Sequence, residues 1–349
     1  MHLWSLGRTK IVGAAAAVML ALAITPAAHG QEKLKVALNW NAPNAGFVHH
    51  YAAKKMGFYA AEGLDVELLA LPGSVPAVTS VAAGDAQLGQ AGADAILVGM
   101  GQGAPLKVVW LLYQSTPTGV IAPKKTNIRT LADLRGKTVS TAVASPEGIL
   151  LRARLREAGV NPDRDVTLLN VAPAAKLTMM LAGQSDASTG FVNFQMIQAQ
   201  MQGHDVTFIP FSTEKQPLYG HAVFTSEKFV KEKPDVIRRY LKATIAGLLW
   251  ARDNVDKAVE LVVTWDPSVK IDAEFVRRDW ISQLNSLISS DLTAKQGVGH
   301  MSDEGWRNLV DVLFEGKLIA SRLDPKSVYT NELIPANAKQ WGSGRPPGS

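Results

Sequence analysis

Residues 55–67 read Lys55-Met56-Gly57-Phe58-Tyr59-Ala60-Ala61-Glu62-Gly63-Leu64-Asp65-Val66-Glu67. The first half continues an amphipathic helical stretch, Gly63 supplies the turn, and Leu64 opens a short β-rich run that reaches Leu69. The same alternation extends in both directions. Upstream, 34–38 (LKVAL) reads as a strand and 45–59 as the helix leading into the quoted stretch. Downstream, Ser74 reads as an N-cap, with Pro76 in the first turn and Gly84 as the stop of that helix. A strand over 86–91, a helix over 95–100 capped by Asp94, and a buried strand over 106–113 (LKVVWLLY) come next. Strands and helices in this order predict an α/β fold with a largely parallel sheet.

A second, similar series begins after Thr118. Strands are expected over 120–122, 138–141, 166–170, 187–190 and 206–210. Helices fall between them over 130–134, from Ser145 to the stop at Gly159, over 173–181 and over 194–202. From Tyr219 the character changes: one strand over 222–225, then helices over 227–231, 234–254, 255–265, 273–289 and 303–315. Trp250, Leu261 and Trp280 read as core within these. The short polar or Pro-containing stretches 114–118 and 212–218 read as crossings between two lobes. Lobe one is then 31–116 plus 218–335 and lobe two is 117–217. Residues 336–349, rich in Gly, Pro and Ser, are expected to form a flexible tail.

The first thirty residues form a different object. Arg8 and Lys10 precede an apolar run over 11–24, which is too short for the ~20 residues of a spanning helix. Ala28-His29-Gly30 supplies small residues, so a signal peptide over 1–30 is expected, with cleavage near Gly30–Gln31 and export to a periplasm. The chain has no cysteine. This removes disulfide frameworks, thiolate metal sites, iron–sulfur ligation, cysteine nucleophiles and a lipid anchor. The formal charge of the whole chain is +5, and the leader holds two of the cations and no acid. The chain beyond the leader is mildly basic, without the clustered Lys/Arg footprint of a nucleic-acid binder.

Several segments together carry a family resemblance. The quoted stretch resembles the "K-G-[FY]-[FY]-x-x-E-G-[LI]-x-V" segment of type II periplasmic solute-binding proteins. Asp133-Leu134-Arg135-Gly136-Lys137-Thr138-Val139 resembles their "D-L-[KR]-G-K-x-V" segment. Tyr219-Gly220-His221 and Thr225-Ser226, followed by Lys233-Pro234, resemble their return crossing and third segment. Leu38-Asn39-Trp40 and Gly190-Phe191-Val192-Asn193-Phe194-Gln195 resemble the branch that contains sulfonate- and nitrate-binding proteins and the pyrimidine-precursor binders of thiamine salvage, the thiamine pyrimidine synthase-like proteins. The resemblance implies two α/β lobes joined by two crossover strands with a cleft between them. It implies a non-enzymatic, monomeric substrate-binding component of an ABC importer, with a transmembrane permease as partner, no nucleic acid and no cofactor. The implied ligand is a planar nitrogen heterocycle such as a thiamine pyrimidine precursor, with an alkyl sulfonate, nitrate, a flavin or an aromatic acid as alternatives. Pyrimidine-forming enzymes of the same fold branch depend on a cysteine-rich iron motif that a chain without cysteine does not have. Two departures stand out: the run Asn41-Ala42-Pro43-Asn44-Ala45-Gly46 lacks the expected histidine, and Gln195 stands where a glutamate is usual.

The candidate site gathers at strand ends, where open α/β sheets present their ligand loops. Asn39 and Trp40 end the first strand, and Trp40 can stack on a planar ring. Ser74, Asp94 and Ser145 each start a helix after a strand; plain N-capping is the competing role. Tyr113, Phe191 and Tyr219 flank the crossings as a second aromatic wall or as hinge packing, and Asn193 and Gln195 can read polar edges from lobe two. His49-His50 invites a metal reading, but adjacent helical positions diverge by about 100°, which argues against joint chelation. Arg152, Arg154 and Arg156 read as a solvated helix face.

Overall fold

The computed structural model describes residues 31–143, 145–172, 175–213 and 216–343. The expected leader, and the part of the expected tail beyond 343, lie outside the described residues.

Strands β1–β4 cover Glu32–Leu38, Leu64–Ala70, Leu88–Gly92 and Leu106–Leu111. Strands β5–β9 cover Thr118–Pro123, Thr138–Thr141, Thr167–Asn170, Ala187–Phe191 and Val206–Pro210, and β10 covers His221–Ser226. They form two five-stranded sheets of one plan, β2-β1-β3-β10-β4 and β7-β6-β8-β5-β9. In each sheet one strand, β10 or β5, runs antiparallel to both neighbours, and the other four share a direction. The two reversed strands are the ones next to the crossings. The crossings bond to each other: Thr116 N–H donates to the Leu218 carbonyl (2.7 Å) and Gly220 N–H to the Tyr113 carbonyl (3.0 Å). This pairing joins the two sheets by one short double-stranded connection.

Helices α1–α4 are Val48–Lys55, Phe58–Ala61, Ser74–Ala83 and Ala93–Gly101. In the second lobe α5–α7 are Pro146–Glu157, Lys176–Leu181 and Gln195–Met201. After β10 come α8–α13: Glu227–Glu232, Pro234–Asp253, Val255–Val263, Ala273–Ser282, Asp291–Gln296 and Asp303–Glu315. The helix expected over 45–59 is three pieces. Asn44 caps a 3-10 turn at Ala45–Phe47, α1 follows, and Gly57 at φ 76° breaks the chain before α2. An L side chain rarely adopts that conformation, so the glycine permits the break. The helix expected over 273–289 also divides, because Gln283–Ile288 is π-helical.

One apolar cluster fills the side of the first sheet under α1, α9, α10 and α11. Trp280 and Leu261 lie in it, and Trp250 packs half-buried against it. A second cluster runs from α3 and α4 past Leu218, Tyr219 and Trp306 into the second lobe. Helix α1 lies close against α9 because Gly247 has no side chain: a Cβ there would stand 2.2 Å from the His49 carbonyl oxygen. Gly247→Ala should therefore destabilise the protein by about 1–3 kcal/mol, measured by urea unfolding. A change below about 0.5 kcal/mol would mean that the helix pair separates freely.

Three expectations are corrected here. His49 and His50 do converge, with ring centroids 4.1 Å apart, because both imidazoles reach the same buried acceptor, Gln90 Oε1, at 2.9 and 3.0 Å. Desolvation and the neighbouring imidazole hold His49 well below the ordinary histidine range, and desolvation brings His50 down to about 3. The pair is a neutral core network. Arg154 is not on a solvated face; it is buried and hydrogen-bonds Gln216 in the return crossing. The tail is docked through 343: Ala336–Ser343 forms a 3-10 helix, Trp341 is buried, and Arg252 donates to its carbonyl (2.9 Å).

Candidate functional site

The loops that follow β1, β3 and β4 face the start of β5, the N-terminus of α5 and the β8–α7 turn across a cavity of about 420 Å³. Nine of the ten residues expected from the sequence line it: Asn39, Trp40, Ser74, Asp94, Tyr113, Phe191, Asn193, Gln195 and Tyr219. Ser145 does not. Its hydroxyl donates to the Ala142 carbonyl and accepts from Gly148 N–H, so it serves α5 as a cap, and the next two residues reach the cavity instead.

Ser74 and Asp94 line the cavity without being N-caps. Gly73, at φ 119°, takes the cap position of α3, and Ser74 moves into the first turn. Its hydroxyl then accepts from Asn39 Nδ2 (2.9 Å) and Gly92 N–H (3.1 Å), tying the ends of β1 and β3 together. Gly92 caps α4, and the Asp94 carboxylate accepts from Ala95 N–H at 2.8 Å. Burial raises the Asp94 carboxyl above the usual range, partly offset by backbone N–H groups.

The aromatic residues divide by exposure. Trp40 is 52% exposed, and Phe191 and Phe194 are each 37% exposed. They are the faces that an entering ring can cover. Tyr113 is buried with its ring stacked on His221 at 4.9 Å. Tyr219 is buried against Trp306 (5.3 Å), and its hydroxyl accepts from Ser302 N–H at 2.8 Å. Both tyrosines therefore combine lining with hinge packing. Gln195 is also committed, since its Oε1 accepts from Phe191 N–H (2.9 Å) and closes the β8–α7 turn.

Most of the other lining residues were not anticipated, and four of them carry chemistry or ring packing at the site. Glu147, in the first turn of α5, pairs with the buried Lys176, and Thr189 Oγ1 also donates to it (3.3 Å). Asp279 on α11 is buried and accepts from Gln283 Nε2 (2.6 Å) and Asn193 Nδ2 (2.9 Å). Phe275 meets Phe194 edge to face at 5.3 Å. His221 is held neutral, its pKa brought down to about 4 by burial. Glu147 was visible as the third residue of Ser145-Pro146-Glu147. Asp279 and Phe275 carry no local signal, because they reach the cleft on a helix far along the chain.

Contacts cross the cleft beside α11. Asn193 to Asp279 and Phe194 to Phe275 each join the second lobe to α11 of the first. The two lobes therefore touch across the cleft. Among the described lining residues Asp94, Glu147 and Asp279 are acidic, and none is lysine or arginine.

A family model described as NMT1/THI5 like matches residues 44–258. The chain belongs to that family. Among relatives of this NMT1/THI5-like chain, a riboflavin-binding protein, RibY, of Chloroflexus aurantiacus is 24% identical over 304 residues, covering 85% of this chain and 84% of that one. A formylaminopyrimidine-binding protein of Halalkalibacterium halodurans is 25% identical, covering 67% and 70%. In structure, the periplasmic aliphatic sulphonate-binding protein SsuA of Escherichia coli superposes with a TM-score of 0.69 at 16% identity, over 86% of this chain and 92% of that one. The expected fold is therefore the fold observed: two mixed α/β lobes of the periplasmic binding-protein kind.

Proposed function

We propose that this NMT1/THI5-like chain is the periplasmic substrate-binding component of an ABC importer and that its cleft takes a planar nitrogen heterocycle. The observation that carries this reading is the charge of the lining. Asp94, Glu147 and Asp279 face a cavity to which the described residues contribute no lysine or arginine. A sulfonate or nitrate entering it would find no lysine or arginine among the described lining residues, whereas ring N–H groups and exocyclic amines find acceptors. The exposed faces of Trp40, Phe191 and Phe194 suit a flat ring. The names of two relatives, one a riboflavin binder and one a formylaminopyrimidine binder, support testing a flavin and a pyrimidine together.

The mechanism is differential binding. Ligand contacts to both lobes favour the closed form, which a membrane permease then distinguishes from the open one. The leader expected over 1–30 would deliver the protein to the periplasm. Trp40→Ala should weaken binding of riboflavin or formylaminopyrimidine about tenfold, read by calorimetry, with unfolding unchanged because Trp40 is half exposed. Equal affinity in the variant would remove stacking from the reading.

A further inference from the structure

Cavity-lining polar groups differ in what they leave unmet. The Asn39, Asn193 and Gln283 side chains each use their amide N–H on the protein: Asn39 on Ser74, the other two on Asp279 Oδ1. Their carbonyl oxygens are all buried without a partner. A carboxylate only accepts, so it turns both neighbouring amides nitrogen-inward and leaves their oxygens facing elsewhere. The cleft therefore holds three buried amide oxygens that the protein itself leaves unmet. Each buried acceptor left unpaired penalises the closed state.

Asp279 sits at the centre of this pattern. It is 4% exposed, and its hydrogen-bond partners among the described residues are two neutral amides. Glu147, by contrast, has Lys176 beside it. A buried carboxylate without a cation is expensive unless something else satisfies it. No described donor reaches Oδ2, and one of the two donors to Oδ1 comes from the opposite lobe. A π-helical segment begins at Gln283 directly after α11, an irregularity common beside binding sites.

We propose that Asp279 is the specificity-determining residue of the cleft, taking an N–H-bearing, amidine-like edge of the ligand while Asn193 ties the same carboxylate to the second lobe. Selection of a donor edge and closure of the lobes then act through one side chain. This rests on the heterocycle reading above and adds to it which edge of the ring is read, and by what.

The test uses the full exported protein with formylaminopyrimidine, riboflavin and an alkanesulfonate as probes, measured by calorimetry, with small-angle scattering to follow closure. Asp279→Asn keeps shape and keeps an oxygen for Asn193, but offers the ligand an N–H in place of an acceptor. It should lower affinity for the bound heterocycle at least tenfold while the protein stays folded. Asn193→Asp, measured at about pH 9 where Asp279 is ionised, places a like charge against it across the cleft. It should hold the lobes open and weaken the same ligand at least tenfold. Wild-type binding of a heterocycle, with either variant within twofold of it, overturns the role of Asp279 and leaves the heterocycle reading standing. Wild-type protein that ignores both heterocycles overturns both.

Discussion

Replacing Lys176 by methionine should destabilise the protein by about 3–5 kcal/mol, the range for breaking a buried ion pair from one side. Lys176 is 2% exposed, on the first turn of α6 under the second sheet. Its ammonium meets the Glu147 carboxylate and Thr189 Oγ1, and the Thr141 hydroxyl lies 2.9 Å from Thr189 Oγ1. Methionine fills similar volume but leaves Glu147 a largely buried, uncompensated anion at the cavity wall. Urea unfolding at neutral pH measures the loss, and adding Glu147→Gln to the Lys176→Met variant should recover part of it, since no lone charge remains. A loss below about 1 kcal/mol would show that water already solvates the pair. The pair also has a functional side: Lys176 neutralises one of the three cavity carboxylates and leaves Asp94 and Asp279 as the uncompensated ones.

The second large effect is on pH dependence. Burial pushes Asp279 up to about 7, against which the Gln283 and Asn193 hydrogen bonds pull only partly. Below about pH 4 the carboxyl is protonated whether the chain is folded or not. Between about pH 4 and 7 the unfolded chain releases this proton and the folded protein keeps it, so stability falls as pH rises, and above 7 the full penalty remains. Three pH units correspond to about 4 kcal/mol, and relaxation of the site reduces what is expressed to about 2–4 kcal/mol. Asp279→Asn should therefore be more stable than wild type at about pH 8 by that amount and nearly equal to it at about pH 4. Tyr113 also senses Asp279: burial first, and then the Asp279 charge, push its phenol well above its ordinary value, so it stays neutral throughout. Unfolding curves of both proteins at the two pH values decide the matter; parallel pH profiles would contradict it. A variant that gains stability while losing ligand is the pattern expected of a residue kept for binding.

The two-lobed plan was legible because each element is announced locally. Residues 138–141, 206–210 and 303–315 have the bounds expected from their patterns. Caps were harder. Ser74 and Asp94 have the chemistry of an N-cap, yet Gly73 and Gly92 hold that position, and the freed side chains turn to the cleft. Single-helix readings failed at Gly57 and Gln283, where a left-handed glycine and a π-turn interrupt patterns that remain apolar on one face. The tail looked mobile by composition, but Trp341 and Ala338 find buried places that no local pattern foretells. The same limit hid Asp279. It lies 86 residues from Asn193 along the chain, and only folding brings the two together.

The most direct measurement is tryptophan fluorescence and calorimetry of the ligand-free protein titrated in turn with riboflavin, formylaminopyrimidine and an alkanesulfonate. Micromolar or tighter binding of a heterocycle, with quenching of Trp40 and no response to the sulfonate, is the expected result. Micromolar sulfonate binding with both heterocycles silent would contradict the reading of the cleft as an acceptor-rich heterocycle site.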